Sequence, residues 1–137
     1  MNLPTEPTGL DAARLAVLQS FANAFTAHDI ETLMSHMTDD CVFYSSAGDD
    51  IEGVAFHGRP DVATAFSGFW ERMPDAAWHD DYHTVSGDRG VSHWRFHGTT
   101  ADGSVIESWG CDLFEFVGDK IRVKDSYRKH RPPQRAD

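Results

Sequence analysis

Hydrophobic residues recur at two different periods along the chain, and the change of period separates a helical part from a β-rich part. From Asp11, a suitable helix N-cap, apolar residues follow at three- and four-residue spacing, which predicts an amphipathic helix. Asp29 begins a second, shorter helix, and Pro60 suits the first turn of a third, which Pro74 ends. The apolar positions of the three helices are Leu15, Leu18, Phe21, Ala22 and Phe25; Ile30, Leu33, Met34 and Met37; and Val62, Phe66, Phe69, Trp70 and Met73.

A β-rich run, Cys41 to Ser45, separates the second helix from the third. After Pro74 the hydrophobic period becomes two, and short glycine turns divide the remainder into four strands. Helices followed by a strand meander are typical of an α+β fold, with the helices packed on one face of a curved antiparallel sheet. The four strands are predicted at Trp78 to Ser86, Val91 to Thr100, Ser104 to Val117 and Lys120 to His130.

The chain of 137 residues is long enough for one hydrophobic core and too short for two, and 40% of its residues are hydrophobic. Residues 1–10 and 131–137 carry proline without hydrophobic periodicity, which predicts flexible tails. We therefore expect a single domain over residues 11–130 with a flexible segment at each end.

The charge of the chain limits the classes of partner that it is expected to bind. The formal net charge is −10, and the few cations gather near the C-terminus. Binding to nucleic acid or to an anionic membrane requires a broad basic surface, so both are excluded as expected partners. The sequence lacks an apolar run of about 20 residues and a signal-peptide pattern, which favours a cytoplasmic location. Cys41 and Cys111 are then expected to be reduced, buried thiols, although a cysteine nucleophile stays possible.

The strand register decides which side chains share a face. If each hairpin has a two-residue loop, at Asp88-Arg89, Asp102-Gly103 and Gly118-Asp119, the paired residues follow by counting outward from each turn. A slip of one residue would reverse every facing. The predicted pairs are Tyr82 with Arg95, Asp80 with His97, His93 with Asp112, Asp112 with Asp125, and Gly110 with Tyr127.

This register predicts ionisable side chains beside an apolar floor, the composition of a small-molecule pocket. The opposite face would be apolar as well, which predicts a homodimer through the sheet. The ionisable group is His93, Arg95, Asp112, Asp125 and Tyr127; the floor is Val91, Phe114, Phe116, Ile121 and Val123; the opposite face holds Trp94, Phe96, Trp109, Cys111 and Leu113.

The ionisable group suggests proton transfer. Asp112 would fix the tautomer of His93, whose imidazole then moves a proton near neutral pH. Asp125 beside Asp112 is expected to have a raised pKa, and Tyr127 could donate a hydrogen bond to a carbonyl or enolate. Each residue also has a purely structural interpretation, as a buried ion pair, a solvated strand charge or a core tyrosine with a satisfied hydroxyl.

No metal or cofactor is expected. His79 and His83 in the run His-Asp-Asp-Tyr-His lie four residues apart on a strand, which is ~13 Å and too far for two ligands of one ion. The same spacing excludes His93 with His97. A Gly-rich phosphate loop and a Gly-x-Ser-x-Gly elbow are both missing from the sequence.

Four segments give the chain a family resemblance over about residues 11–130. It resembles the SnoaL-like branch of the nuclear transport factor 2-like superfamily, which also contains ketosteroid isomerase, scytalone dehydratase and limonene-epoxide hydrolase. The resemblance implies a cone-shaped curved sheet around a deep pocket, dimerisation through the sheet, and activity without a cofactor. The segments are Phe-Ala-Asn-Ala-Phe-Thr-Ala-His-Asp (21–29), Thr-Asp-Asp-Cys-Val (38–42), Gly-Cys-Asp-Leu-Phe-Glu-Phe-Val-Gly-Asp-Lys-Ile (110–121) and Lys-Asp-Ser-Tyr-Arg-Lys (124–129).

The chain departs from the best-known chemistry of that superfamily. Asp112 matches the protonated acid of the ketosteroid isomerase oxyanion hole, but Phe21 replaces its tyrosine and Ser45 replaces its general base, which argues against steroid isomerisation by that mechanism. Arg95, Asp112 and Asp125 supply the residue types of the epoxide hydrolase set without its spacing, so that reading is a second alternative.

The sequence therefore predicts a cofactor-independent acid/base enzyme of the isomerase, dehydratase or cyclase type, acting on a small, largely apolar carbonyl-containing or polyketide- or terpenoid-like metabolite. A non-catalytic binding protein is the alternative, and a domain whose pocket is filled by side chains is a third possibility. The expected catalytic residues are Asp112, His93, Asp125 and Tyr127; the expected substrate-binding residues are Arg95, Tyr82, Phe21, Phe25, Ser45, Phe66, Trp70 and Phe114.

Overall fold

Three helices and six strands make up residues 9–135, the part of the chain that the computed structural model describes. The three predicted helices and the predicted strands are all present, and a short strand, β2, was not predicted. The helices are α1 (Gly9–Ala27), α2 (Ile30–Ser35) and α3 (Arg59–Arg72); the strands are β1 (Met37–Tyr44), β2 (Ala55–His57), β3 (Ala77–Ser86), β4 (Arg89–Thr99), β5 (Val105–Val117) and β6 (Lys120–Arg128).

Local chemistry explains where the helices begin and end. The Asp29 side chain caps α2 by accepting a hydrogen bond from the backbone N–H of Thr32. Pro60 lies in the first turn of α3, where its missing N–H costs nothing. The chain between α1 and α2 turns at His28, whose φ of 57° is left-handed.

The six strands form one sheet in the order β2-β1-β6-β5-β4-β3. Strands β3 to β6 are the predicted antiparallel meander, whereas β1 pairs parallel to β6 and antiparallel to β2. The sheet is curled but not closed, and the helices cover its concave face. The predicted α+β class is thus correct, with one parallel strand pair added to the antiparallel sheet.

The hydrophobic core lies between the helices and the concave face of the sheet. Helix α1 contributes Leu18, Phe21 and Phe25, all buried as their three- and four-residue spacing predicted. Phe66 of α3 and Phe114 of β5 pack against them. The Phe21 ring contacts both edge to face, with centroids 6.4 Å from Phe66 and 5.7 Å from Phe114. These contacts fix α1 and α3 relative to the sheet.

The segments predicted as tails are partly ordered. Helix α1 already includes Gly9 and Leu10, and residues 1–8 and 136–137 lie outside the described residues. At the other end, Gln134 pairs with Val105, and the Arg131 guanidinium donates a hydrogen bond to the Glu107 carbonyl at 3.0 Å. Residues 131–135 therefore lie against the start of β5 rather than leaving the domain.

The predicted strand register is wrong in all three hairpins. Ser86 pairs with Arg89, so the first loop is Gly87-Asp88, and Thr99 pairs with Val105, so the second loop has five residues. The third loop is Gly118-Asp119 as predicted, but a bulge shifts the pairing beyond it. The pairing differs by two residues in the first hairpin, where Tyr82 meets His93 and not Arg95, and by one residue in the second and third. A one-residue difference exchanges the two faces of a strand relative to its neighbour. The observed pairs are Tyr82 with His93, His79 with Arg95, Ala77 with His97, His93 with Cys111, Ser92 with Asp112, Asp112 with Ser126, Leu113 with Asp125, and Gly110 with Arg128.

Candidate functional site

A cavity of about 730 Å³ opens between α3 and the concave face of the sheet. This volume is well above the ~300 Å³ of a small-molecule site, so the possibility that side chains fill the pocket is wrong. The walls are mostly aromatic and come from α1, α3 and every strand except β5. The lining side chains include Phe25, Phe43, Ser45, Ser46, Val54, Phe56, Asp61, Phe66, Phe69, Arg72, Trp78, Trp94, Phe96, Lys124, Ser126 and Arg128.

The Lys124 ammonium group lies at the floor of this cavity. The residue is 6% exposed, and its Nζ lies over the Phe25 and Phe43 rings, 5.0 Å and 4.8 Å from their centroids. The Phe66 ring is 5.8 Å from the same atom. Three electron-rich ring faces around one cation stabilise its charge away from water. Lys124 was not among the predicted catalytic or substrate-binding residues.

Asp112 is the counter-ion of Lys124. Lys124 Nζ donates to Asp112 Oδ1 at 3.0 Å and to the Ser126 hydroxyl oxygen at 2.7 Å. Ser126 donates its own hydroxyl hydrogen to the same Asp112 Oδ1 at 2.5 Å, and the Trp94 indole N–H donates to Asp112 Oδ2 at 3.0 Å. Every oxygen of this buried carboxylate is satisfied, which such a group requires. Asp112 thus holds Lys124 in place through a buried ion pair.

The rim of the cavity carries further charge. Asp61, in the first turn of α3, is the carboxylate that lines the cavity within residues 9–135. Arg72, in the last turn of α3, and Arg128, at the end of β6, place two guanidinium groups in the lining. Burial lowers the pKa of Arg128. The cavity thus combines a buried cation at its floor with charges of both signs at its rim.

Five predicted catalytic or binding residues lie on the other, convex face of the sheet, so their placement around a pocket with Asp112 is wrong. His93 stacks on Trp109, with ring centroids 5.0 Å apart, and lies against Tyr82 at the same distance. Arg95 forms ion pairs with Asp80 at 3.0 Å and Glu107 at 2.7 Å. The register slip explains the error, because Asp112 faces the cavity side while the others alternate outward. The misplaced residues are Tyr82, His93, Arg95, Asp125 and Tyr127.

The remaining predicted binding residues have mixed outcomes. Phe25, Ser45 and Phe66 line the cavity as predicted, whereas Tyr82 is exposed on the convex face. Phe21 and Phe114 belong to the core beneath the floor. Trp70 is buried and stacks on His28 at 4.9 Å, outside the cavity wall. The epoxide hydrolase alternative loses its geometric basis, since Arg95 and Asp125 lie across the sheet from Asp112.

Asp125 illustrates how the convex face affects ionisation. Its pKa is raised by partial burial and by the nearby Asp112 charge, while the Tyr127 hydroxyl, which donates to it at 3.2 Å, opposes the shift. The raised pKa of Asp125 agrees with the prediction, but burial, and not the Asp112 charge, is its main cause. A carboxyl group with a raised folded-state pKa stabilises the fold at low pH, and this contribution is lost as the pH rises from about 4 through its folded-state value.

We therefore expect Asp125→Asn to remove part of the loss of stability between pH 4 and pH 7. Urea unfolding of the wild type and the variant at both values measures this difference. Glu52→Gln, at an exposed loop carboxylate, is the control and should keep the wild-type pH dependence. A wild-type pH dependence in Asp125→Asn would show that the raised pKa contributes nothing to stability.

A hydrogen-bonded Asp-His-Ser chain was missed by the sequence analysis. Asp81 Oδ2 lies 2.8 Å from His83 Nε2, and His83 Nδ1 lies 2.7 Å from the Ser92 hydroxyl. Ser92 is buried and reaches only a second cavity of about 30 Å³, enough for one or two water molecules. An acyl substrate cannot reach that hydroxyl, so this chain of residues is structural rather than nucleophilic. The sequence pattern that could have indicated this chain of residues is the placement of Asp81 and His83 two residues apart, which puts them on one face of β3.

Within residues 9–135, no three His, Cys, Asp or Glu side chains come together in a way that could hold a metal ion. The same part of the chain contains no helix with the length and apolarity to cross a membrane. Both cysteines are free thiols, and burial raises the pKa of each. A raised pKa suppresses the thiolate that a cysteine nucleophile needs.

The comparisons with known proteins agree with this architecture. The family model of the SnoaL-like domain matches residues 18–123. A protein assigned as a SnoaL-like polyketide cyclase from Jannaschia sp. CCS1 superimposes with a TM-score of 0.79 at 13% identity, covering 92% of each chain. An NTF2-like protein of unknown function from Mesorhizobium loti gives 0.75 at 22% identity over 91% of this chain and 98% of that chain.

A third similar structure is that of a protein assigned as an isomerase from Bacillus subtilis, with a TM-score of 0.75 and 10% identity over 89% of this chain and 90% of that chain. The search of curated proteins found no match. Identities this low establish the fold alone. That fold is the NTF2-like, cystatin-like arrangement of a curled sheet and three helices.

Proposed function

The chain belongs to the family of SnoaL-like domains, and from this premise we propose that its cavity is the active site of a cofactor-independent acid/base enzyme. The substrate is a small, largely apolar carbonyl compound of polyketide- or terpenoid-like character. The observation that carries the proposal is the Lys124 side chain at the floor of an aromatic cavity, fixed by Asp112 and Ser126.

The proposed role of Lys124 is to donate a hydrogen bond to the substrate oxygen. An ammonium group has three N–H donors, and Asp112 and Ser126 accept two of them. The third is available to a carbonyl oxygen in the cavity. When a proton leaves the carbon next to that carbonyl, negative charge develops on the oxygen, and a fixed, buried cation stabilises it strongly.

Asp112 is a positioning residue in this mechanism. It lies behind Lys124, and its two oxygens already accept hydrogen bonds from Lys124, Ser126 and Trp94. Its carboxylate forms an ion pair with the Lys124 ammonium group at 3.0 Å, so in this proposal Lys124 acts as a hydrogen-bond donor and not as an amine nucleophile that forms an imine. This differs from the sequence-based hypothesis, in which Asp112 moved the proton itself.

The proposed base is Asp61, the carboxylate at the cavity rim. It would take the proton from the α-carbon while the electron pair moves onto the oxygen held by Lys124. Return of that proton to another carbon gives isomerisation, loss of a β-hydroxyl group gives dehydration, and attack of the enolate on a second carbonyl gives ring closure. The cyclase and isomerase names of two similar structures belong to this range of reactions.

Deuterium exchange tests the proposal without knowledge of the natural substrate. An enzyme that forms an enolate replaces the α-hydrogens of a bound ketone with deuterium in D₂O, which proton NMR detects as a loss of signal. We expect the wild type to accelerate this exchange for 2-tetralone, an apolar ketone that the cavity volume accommodates. A rate equal to that in buffer for a ketone that binds by calorimetry would contradict the enzyme proposal.

The alternative is a binding protein that uses the same cavity without turnover. The exposed position of Asp61 favours it, because water competes with a substrate for a carboxylate at the open rim of the cavity. Calorimetric binding of 2-tetralone together with the absence of exchange would support this alternative. Exchange that disappears in Asp61→Asn would support the enzyme.

We also propose that two copies pair through the convex face of the sheet. Trp109 and Leu113 project from the central strand β5 and are 41% and 43% exposed, and Tyr127 beside them is also exposed. A contiguous patch of large apolar side chains is unusual on a monomer. We expect sedimentation velocity to give a dimer for the wild type and a monomer for Leu113→Glu. A wild type that stays monomeric at the highest protein concentration measured would contradict the pairing.

A further inference from the structure

We propose that the ligand of the cavity carries an anionic group, most simply a carboxylate, which binds between Arg128 and Arg72 at the end of the cavity away from Lys124. This inference deepens the proposed function by naming a substrate class, an apolar oxo acid. It rests on that function only for the position of the carbonyl.

Arg128 is the main support. Its side chain is half-buried and lines the cavity, and its Cζ lies over the Phe96 ring at 5.2 Å from the centroid. No carboxylate within residues 9–135 lies close enough to form an ion pair with it. Other arginines of the chain do have such partners; Arg95, for example, pairs with both Asp80 and Glu107. A desolvated cation without a counter-ion is costly, and a ligand anion would offset that cost.

Arg72 brings a second guanidinium group to the same end. It lies in the last turn of α3, with its Cζ over the Phe69 ring at 5.9 Å, and it too lacks an ion pair within the described residues. The Phe69 and Phe96 rings contact each other edge to face, 5.6 Å between centroids. The two guanidinium groups therefore rest on adjoining walls of one corner of the cavity.

The charge of the lining sets this corner apart from the rest of the molecule. Among the described residues, three cations, Lys124, Arg128 and Arg72, line the cavity against one carboxylate, Asp61, while the chain as a whole has a net charge of −10. Of these three cations, only Lys124 has a counter-ion in the part of the chain that the structure describes. A positive cavity in an acidic protein selects and concentrates anions. The planar guanidinium is also the side chain that best matches a carboxylate, through two parallel hydrogen bonds.

The spacing along β6 limits the shape of the ligand. Lys124, Ser126 and Arg128 alternate onto the cavity side of this strand, and the first and last are four residues apart, ~13 Å between α-carbons. A carbonyl at Lys124 and a carboxylate at Arg128 are then separated by several carbon atoms. The aromatic walls between them, Trp78 and Trp94, suit an apolar or aromatic middle.

Isothermal titration calorimetry with a matched pair of ligands tests the inference. The probes are 6-oxo-6-phenylhexanoate and its primary amide, which differ in charge and hardly in shape. We expect the wild type to bind the acid at least tenfold more tightly than the amide. In Arg128→Gln this preference should fall to near onefold through weaker binding of the acid alone, and in Arg72→Gln it should fall partway. Arg122→Gln, at an exposed arginine of the same strand, should keep the wild-type preference.

The outcomes separate this inference from the proposed function. Equal binding of acid and amide by the wild type, or failure of both to bind, would overturn the anion site, and neither result depends on whether a variant folds. Deuterium exchange on uncharged 2-tetralone judges the role of Lys124 independently. Tight binding of the acid with no exchange would keep the anion site and count against catalysis.

Discussion

Replacing Lys124 with methionine should reduce the deuterium-exchange rate of the wild-type protein by 10²-fold or more. The ammonium group is the proposed donor to the substrate oxygen, and loss of one such donor typically costs about 10²- to 10³-fold in rate. Methionine keeps most of the length and apolar surface of the lysine stem, so the Phe25, Phe43 and Phe66 contacts remain. The NMR exchange assay on 2-tetralone measures the rate.

The same substitution also leaves Asp112 buried without its counter-ion, which is expected to lower the free energy of unfolding by about 3 kcal/mol. The double variant Lys124→Met with Asp112→Asn separates the two effects. It should regain most of the stability in urea unfolding, because no charge is left unpaired, and it should stay inactive. Lys120→Met, at an exposed lysine of the same strand, is the control for removing a positive charge. Wild-type exchange by a folded double variant would show that Lys124 is not the donor.

Replacing Gly110 with alanine should cost about 2–3 kcal/mol of stability. A Cβ at this position would lie 2.5 Å from Cη2 of the Trp94 indole and 2.5 Å from the Tyr127 carbonyl oxygen. The carbonyl belongs to the paired strand β6 and cannot move without breaking the sheet, so the Trp94 ring or the strand pairing must shift. Because Trp94 donates to Asp112, the damage should reach the Lys124 site as well.

Gly68→Ala is the matched control for this prediction. Its Cβ would meet only the end of the flexible Arg72 side chain, at 3.4 Å, and it lies inside helix α3, where alanine is favoured over glycine by about 0.5–1 kcal/mol. We expect Gly68→Ala to raise the urea midpoint and Gly110→Ala to lower it. An unchanged midpoint in Gly110→Ala would mean that the sheet absorbs the extra methyl group.

Local sequence patterns suffice to predict the buried faces of the helices but not the facing of the strands. Helix faces could be predicted because Leu18, Phe21 and Phe25 repeat at the helical period, and that period depends on neighbours along the chain. Strand facing depends on loop length and bulges. The five-residue loop after Thr99 and the bulge opposite Glu115 each move the register by one residue, and neither leaves a hydrophobic pattern in the sequence.

Only part of the candidate site could be predicted from the sequence, because the site also depends on the strand register. Phe25 lines the cavity and Asp112 lies behind its Lys124 floor, whereas His93 and Tyr127 were placed there by the predicted register alone. Lys124 was missed because a strand lysine beside the apolar Val123 is typical of a solvated face. Both residues are in fact buried, since the bulge in β6 interrupts the alternation. The network around Asp112 joins residues of three strands, and only the three-dimensional pairing brings them together.

The parallel pairing of β1 with β6 affects how fast the protein folds. Val42 of β1 pairs with Val123 of β6, so the chain must close a loop of about 80 residues before these contacts form. Domains dominated by such distant contacts fold in milliseconds to seconds rather than microseconds. The hairpins β3-β4 and β5-β6 are local and can form first. Phe43 and Lys124 meet only across the slow parallel pair, so the Lys124 cage is completed among the last steps of folding, and a fragment without β1 or β6 cannot contain it.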